Sequence, residues 1–231
     1  MTFDLTPEQD ARVAAVRAFA ANSVAPAAKS IDDSGHIPDD LTGALEAIGV
    51  WGHGPLDAVL AIEEIAATSA AVAARAVLGA GGEGLAGLRG VGPVTTPTEQ
   101  QQLGMAAVCL GLGRAALQEA LAVARSRGDR ATGDPADAPH WALADAATEM
   151  DAARLLVRSA ALGPGLGAAA VFVYAAGAAS RTVDAALRVI GPAGYGAGSV
   201  LERCSRDIRA ASLIVGTEDV ARRTAADALL G

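Results

Sequence analysis

The sequence is poor in aromatic residues and nearly free of lysine. Only 3% of its 231 residues are Phe, Trp or Tyr, and Lys29 is the sole lysine. The net charge is −8 at pH 7, and no cluster of basic residues stands out that would bind nucleic-acid phosphates. We therefore expect no nucleic-acid partner. Local arginines and helix N-termini still allow an acidic chain to bind a small anionic ligand.

Cysteine is scarce too, with Cys109 and Cys204 as the two thiols. They fall in separate predicted helices, and two buried thiols in a reducing cytoplasm are favoured over a disulfide. The first residues lack the basic and apolar regions of a signal peptide. Residues 159–180 carry no charge, but the glycines and proline of 163–167 interrupt them. We expect a buried core helix there, no membrane span, and a cytoplasmic protein.

The sequence also lacks the motifs of metal sites and hydrolases. His36, His53 and His140 stand alone, without a His or Glu three or four residues later. The Glu-x-x-His motif of a di-iron bundle is absent, so we expect no metal centre. No Gly-x-Ser-x-Gly motif is present either, which argues against a serine hydrolase.

What the chain does contain is helix-forming sequence. Hydrophobic residues make up 52% of it, many of them alanine, which favours helix more than any other residue. Thr6, Pro7 and Gln9 form a helix start, and we expect Pro26 to end that helix. A second helix is predicted from about Pro38 to Gly49, and a third, long one from about Leu56 to Leu78.

The second half reads as a bundle of long helices joined by short connections. Helices are predicted from Thr98 to about Arg127, from Pro139 onward, and from about Ala168 to Ile190. Three glycines in the first of these favour close contact between helices over close approach of a ligand: Gly104, Gly111 and Gly113. The polar residues 128–139 are predicted to be a loop.

The clearest break in the chain is a stretch rich in glycine and proline, residues 79–97, which is typical of a linker. We therefore divide the chain into an N-terminal helical region (1–78), the linker (79–97) and a C-terminal helical bundle (98–231). No internal sequence repeat is evident.

The C-terminal part carries an ordered set of motifs. A glycine loop, 191–198, precedes a helix start at Ser199 in which Glu202 stands three residues later. That helix carries the sequence Arg-Asp-Ile-Arg at 206–209. Val215 and Gly216 follow, and then Thr217 is predicted to cap a last helix.

This order of motifs resembles the C-terminal domain of flavin-dependent acyl-CoA dehydrogenases. The Gly-Val-Trp-Gly turn at 49–52 and the Ala-Ile-Glu-Glu-Ile-Ala run at 61–66 extend the resemblance to the first half. The resemblance implies an all-α fold with an N-terminal helical segment and a C-terminal four-helix bundle. The family places a β-sheet domain near residues 79–97, where this chain has no room for one.

The resemblance also implies where functional residues lie. The family's catalytic glutamate usually precedes Gly-Thr, and Val215 stands there, so no residue is assigned as catalytic. Asp129 is a weak candidate for the base, because an aspartate in a polar loop is usually just solvated. The candidate FAD contacts are Arg127, Gly191, Gly194, Tyr195 and Thr217. Thr217 is favoured as a plain helix cap.

The pattern of flavin contacts departs from the family at two points. Arg130 and Ala131 replace the phenylalanine and glycine that should follow Arg127, and Pro192 replaces a glycine of the loop. The Arg-Asp-Ile-Arg residues are expected to be structural. We expect the chain to be inactive alone.

Two functions fit these residues. In the first, the chain is a subunit of an acyl-CoA dehydrogenase, homo- or hetero-oligomeric, and shares FAD and an acyl-CoA substrate with a full-length partner that supplies the base. In the second, it is a catalytically inactive helical scaffold or interaction protein that kept the bundle and lost the cofactor. The acyl group, the electron acceptor and the stoichiometry stay open.

Overall fold

The computed structural model describes residues 4–79, 94, 96–129, 138–163 and 167–231. Across these residues the regular elements are helices and none is a strand, so the predicted all-α class is confirmed. The helices are α1 (Pro7–Phe19), α2 (Ala25–Ser34), α3 (Asp39–Ile48), α4 (Pro55–Ala66), α5 (Ala70–Leu78), α6 (Glu99–Arg127), α7 (Ala138–Leu162), α8 (Ala168–Ile190), α9 (Val200–Ile214) and α10 (Glu218–Leu230). Most of the predicted linker, and the loop residues 130–137, lie outside the described residues.

The predicted helix starts are largely confirmed by their hydrogen bonds. Thr6 and Thr98 each form a full capping box with the glutamine three residues later. Ser199 accepts from the N–H of Glu202 at 3.1 Å. The carboxylate of Glu202 binds Arg206 instead of returning to the cap, so only half of the predicted reciprocal cap forms here.

The helical path does not end at Pro26, which corrects the sequence prediction. Residues Ala20–Val24 form a π-helical segment, in which the N–H of Ala25 donates to the carbonyl of Ala20 five residues earlier. Pro26 then lies in the first turn of α2, where its missing N–H leaves no hydrogen bond unmade. The wider turn lets the chain continue as helix past the proline.

The long helix predicted over 56–78 is divided in two, which is a second correction. α4 ends at Ala66 and α5 begins at Ala70. Ser69 is extended between them, and its side chain accepts from the N–H of Val72 at 3.5 Å. The serine competes with its own helix for backbone N–H groups and starts a new one.

The core is organised around α6, which packs against α4, α5, α7, α8 and α9. A Cβ atom at Gly111 would lie 2.5 Å from the Cβ of Ala66 and 2.6 Å from the carbonyl oxygen of Glu63. One at Gly113 would lie 2.7 Å from the sulfur of Met150. Both glycines therefore allow close helix contact, as predicted. α10 packs on α8 beside the bundle of α6–α9.

The apolar composition of α6 reflects this central position. By length and composition it is the one described helix that could cross a membrane, with a mean hydropathy of 1.4 over its most apolar window, of which 61% is buried in the protein. A buried core helix has the same composition. The break predicted within residues 159–180 is confirmed, since α7 ends at Leu162 and α8 begins at Ala168.

Candidate functional site

Arg127 lies in the last turn of α6 and contacts the end of α8. Its Nη1 donates to the carbonyl of Val189 at 2.9 Å, and its Nη2 donates to the carbonyl of Ile190 at 3.1 Å. These carbonyls belong to the last turn of α8, where the helix dipole is negative and favours a cation. Arg127 thus holds the two helix ends together. A guanidinium carries five N–H donors, and these two bonds to described residues use two of them.

The glycine loop follows α8 directly, and contacts at Gly194 fix its inner side. Gly191 has φ +75°, and residues Gly191–Tyr195 form a 3₁₀ turn. Gly194 is buried, and a Cβ there would lie 3.1 Å from Leu187 and 3.3 Å from Leu201. The hydroxyl of Ser199 donates to its carbonyl at 2.7 Å.

The outer side of this loop is open. A Cβ atom at Gly191 would meet no atom within 4 Å, and the side chain of Tyr195 is 64% exposed. The structure therefore brings together Arg127, Gly191, Gly194 and Tyr195, with the phenol and the loop backbone facing outward.

Val215 and Thr217 lie at the other end of α9. Val215 is fully buried, and the N–H of Val94 donates to the carbonyl of its neighbour Ile214 at 2.6 Å. Gly216 lies against Pro97, whose Cγ would be 3.9 Å from an added Cβ. Thr217 caps α10 by accepting from the N–H of Val220 at 3.4 Å. The chain that precedes α6 thus packs over the position where the family carries its base.

The candidate site residues therefore fall into two groups. α9 has 15 residues, which corresponds to about 22 Å along its axis. The glycine loop lies before this helix and Thr217 lies after it. Within a single chain, one small ligand cannot contact both groups.

Asp129, the weak candidate for the base, lies just beyond α6 at the Arg127 end. Its Oδ2 is 3.3 Å from Nε2 of His140, and both side chains are about a quarter exposed. This contact links the end of α6 to the first turn of α7. The structure places Asp129 apart from Val215.

Sequence reasoning missed a cluster of buried charges on α4. Glu64 accepts two hydrogen bonds from Arg114, at 2.8 and 3.0 Å, and two from Arg17, at 3.0 and 3.2 Å. Glu63 accepts from Nε of Arg154 at 3.1 Å. The sequence signal for this cluster was a pair of adjacent acids among the apolar residues of α4, because a buried carboxylate requires a cationic partner.

The electrostatics of this cluster keep Glu64 ionised. Burial alone would raise the pKa of Glu64, but the hydrogen bonds and positive charges of Arg114 and Arg17 outweigh it and lower the pKa to about 2. At neutral pH the carboxylate is therefore charged and binds α1 and α6 to α4.

Only one of the two groups of candidate residues fits a flavin. The Arg127 end offers guanidinium N–H groups for phosphate and a glycine loop with an open outer side. The Val215 end offers a buried aliphatic side chain and a threonine occupied as a cap. Among the residues that the structure describes, no group of three or more His, Cys, Asp or Glu side chains could hold a metal ion.

Comparison with known proteins extends over both halves of the chain. The family described as acyl-CoA dehydrogenase, N-terminal domain, matches residues 6–87. The family described as acyl-CoA dehydrogenase, C-terminal domain, matches residues 89–230. Because the two matches are nearly contiguous, a middle β-sheet domain has no place between them.

The similar curated proteins are longer. A 3-sulfinopropanoyl-CoA desulfinase of Advenella mimigardefordensis is 31% identical over 62% of this chain and 37% of its own length. One of Paraburkholderia xenovorans is 38% identical over 57% of this chain and 35% of its own length. The chain thus matches little more than a third of these relatives.

Solved structures share the fold. Butyryl-CoA dehydrogenase from Megasphaera elsdenii superposes with a TM-score of 0.80 at 19% identity, covering 100% of both chains. A structure described as PigA with FAD and proline has a TM-score of 0.73 at 13% identity, covering 99% of both. At these identities the likeness concerns the fold alone.

Proposed function

Because the chain belongs to the acyl-CoA dehydrogenase family, we propose that it is a cytoplasmic subunit of an oligomeric enzyme and completes a flavin site on a full-length partner. The assembly would remove hydrogens from the α and β carbons of an acyl-CoA thioester. The observation that carries this proposal is the contrast between the two groups of candidate residues. The group at Arg127 is open and includes a guanidinium, whereas the group at Val215 is closed and aliphatic.

The division of labour follows from the chemistry of the reaction. A bound flavin would supply the hydride acceptor for the β-carbon of the thioester. The α-proton must pass to a base, and the side chain of Val215 cannot accept a proton. The base therefore comes from the partner, and this chain contributes Arg127 for phosphate charge and the Gly191–Tyr195 backbone as a close-fitting surface.

The names of similar proteins support a class of substrate for this proposal. The two relatives described above are named 3-sulfinopropanoyl-CoA desulfinase, and a solved structure with the same fold is named butyryl-CoA dehydrogenase. Both names contain an acyl group joined to CoA. We propose an acyl-CoA thioester for the assembly, with the acyl group left open.

Co-purification tests the proposal. We expect the lone chain to be colourless, and its complex with a full-length family member encoded nearby to carry flavin absorbance and to oxidise an acyl-CoA. The variant Tyr195→Ala changes an exposed ring, and Arg127→Ala removes the phosphate donor. Both should lower the flavin content of the complex, while Arg125→Ala, at another exposed position of the same helix turn, should not. Dehydrogenation by the lone chain would contradict the proposal.

The scaffold function is the second candidate, and one observation favours it. Val215 is fully buried. Next to it, the N–H of Val94, which precedes α6, donates to the carbonyl of Ile214. The position of the family's usual base is therefore part of the core. A scaffold would bind its partner in a complex whose flavin content and activity do not respond to Tyr195→Ala or Arg127→Ala. Measuring both quantities on the same purified complex separates the two functions.

A further inference from the structure

A cavity of about 610 Å³ lies where α1, α4, α6 and α7 meet, and four arginines line it. We call it the arginine cavity. Its charged lining includes Arg17, Arg114, Arg154 and Arg158, together with Glu63 and Glu64. Arg114 and Arg127 are both on α6, and their spacing corresponds to about 20 Å along the helix axis. The cavity is therefore separate from the proposed flavin end.

Arg158 is the unusual member of this lining. Arg17, Arg114 and Arg154 all bind carboxylates. Arg158 makes no hydrogen bond or ion pair with any part of the chain that the structure describes, and its Nε is buried without a partner. A half-buried guanidinium is normally paired, because removing a cation from water costs free energy unless an anion compensates it.

The surrounding charges compensate Arg158 only in part. Burial lowers the pKa of Arg158, the negative charge of Glu63 opposes this effect, and the positive charges of Arg154 and Arg114 lower the pKa further. Glu63 is already bound by Arg154. Asp151 is 74% exposed and also binds Arg154, and Asp10, which also lines the cavity, is exposed. Exposed carboxylates are screened by water and compensate a buried cation weakly.

We propose that the arginine cavity binds a phosphate-type oxyanion, with Arg158 as the principal ligand and Arg114 and Arg154 beside it. Guanidinium groups bind tetrahedral oxyanions through parallel N–H donors. The volume exceeds that of inorganic phosphate, so a phosphate monoester fits as well. An anion here would contact both the N-terminal helices and the bundle, and would stabilise their packing.

Unfolding in the presence of anions tests this site in the isolated chain. Inorganic phosphate should raise the urea midpoint with a saturable dependence on concentration, and sodium chloride at equal ionic strength should not. Adenosine monophosphate as a second probe distinguishes a phosphate ester from free phosphate as the preferred ligand. The variant Arg158→Gln should weaken phosphate binding at least tenfold, and the matched control Arg125→Gln should leave it unchanged.

Stability without phosphate gives an independent readout. In phosphate-free buffer the proposed site leaves the half-buried charge of Arg158 without an anion, which costs free energy. The variant Arg158→Met replaces that charge with an apolar side chain of similar length and should therefore raise the urea midpoint. A purely structural arginine would give the opposite result, and a lower midpoint would overturn the proposal. So would a phosphate effect no larger than that of chloride, or one that persists in Arg158→Gln.

A second variant covers the case in which Arg158→Gln does not fold. Arg17→Gln removes an exposed guanidinium that binds Glu64, which leaves more negative charge facing the cavity. This variant should bind phosphate more weakly than the unmodified chain. Unchanged binding would contradict the proposed site.

Discussion

The backbone N–H of Val94 donates a hydrogen bond of 2.6 Å to the carbonyl of Ile214, one residue before Val215. The two residues lie far apart in the sequence, on either side of the bundle's first three helices. Their contact places the segment that precedes α6 against the end of α9. The position of the family's usual base is therefore part of the packed interior of this chain.

Restoring a carboxylate at that position should destabilise the protein without creating activity. Val215→Glu puts a charge where the side chain is fully buried, so we expect a loss of about 3 kcal/mol or more in the free energy of unfolding. Urea denaturation measures the loss. The control Leu213→Glu changes a residue that is 53% exposed, and should cost well under 1 kcal/mol. Equal effects of the two substitutions would show that Val215 is not enclosed.

The close contact between α6 and α4 predicts a large effect of a single methyl group. Gly111→Ala would place a Cβ within 2.8 Å of three atoms of α4 and the turn after it, two of them backbone atoms that cannot move aside easily. We expect a loss of about 2–3 kcal/mol, or more, in the free energy of unfolding. Gly43→Ala is the matched control, since its Cβ would meet nothing within 4 Å and alanine favours helix by about 0.5–1 kcal/mol. A stabilising Gly111→Ala would refute the close contact.

The lowered pKa of Glu64 predicts how the free energy of unfolding changes with pH. Its pKa is about 2 in the folded protein, below its ordinary value of 4.5, so the unfolded chain binds the proton more readily. The stabilisation is fully present above about pH 4.5 and is lost as the pH falls toward about 2. Urea midpoints of the unmodified chain and Glu64→Gln should therefore differ most at neutral pH and converge in acid. For the exposed Glu46→Gln, the difference should stay small at every pH.

Both thiols should resist labelling in the folded protein. Burial raises the pKa of Cys109 and that of Cys204 to about 12 each, so neither forms a reactive thiolate at pH 8. A disulfide-exchange reagent should label no cysteine in buffer and two in denaturant. Ser126→Cys, at an exposed position of α6, should add one fast-reacting thiol. Rapid labelling of the unmodified chain would contradict the burial of these residues.

Local signals in the sequence predicted much of the fold. The capping boxes at Thr6 and Thr98 each need only residues three positions apart, so the sequence carries them fully. The abundance of helix formers, the close-contact glycines of α6 and the break between α7 and α8 are of the same kind. The sequence prediction was wrong at Pro26, where the helical path continues, and at Ser69, where one helix ends and another begins. A π-helical turn and a serine cap each consist of a few backbone hydrogen bonds, and several neighbouring helical positions could form the same bonds.

The sequence by itself determined that the chain is helical, that its motifs follow the acyl-CoA dehydrogenase order, and that an aliphatic residue stands at the usual base position. Only the tertiary structure decided that Val215 is enclosed, that Arg127 holds the end of α8, and that Glu64 meets Arg114 from 50 residues away. The physical reason is one of range. Caps and helix propensities act within a few residues, whereas burial and ion pairing depend on which distant segments pack together.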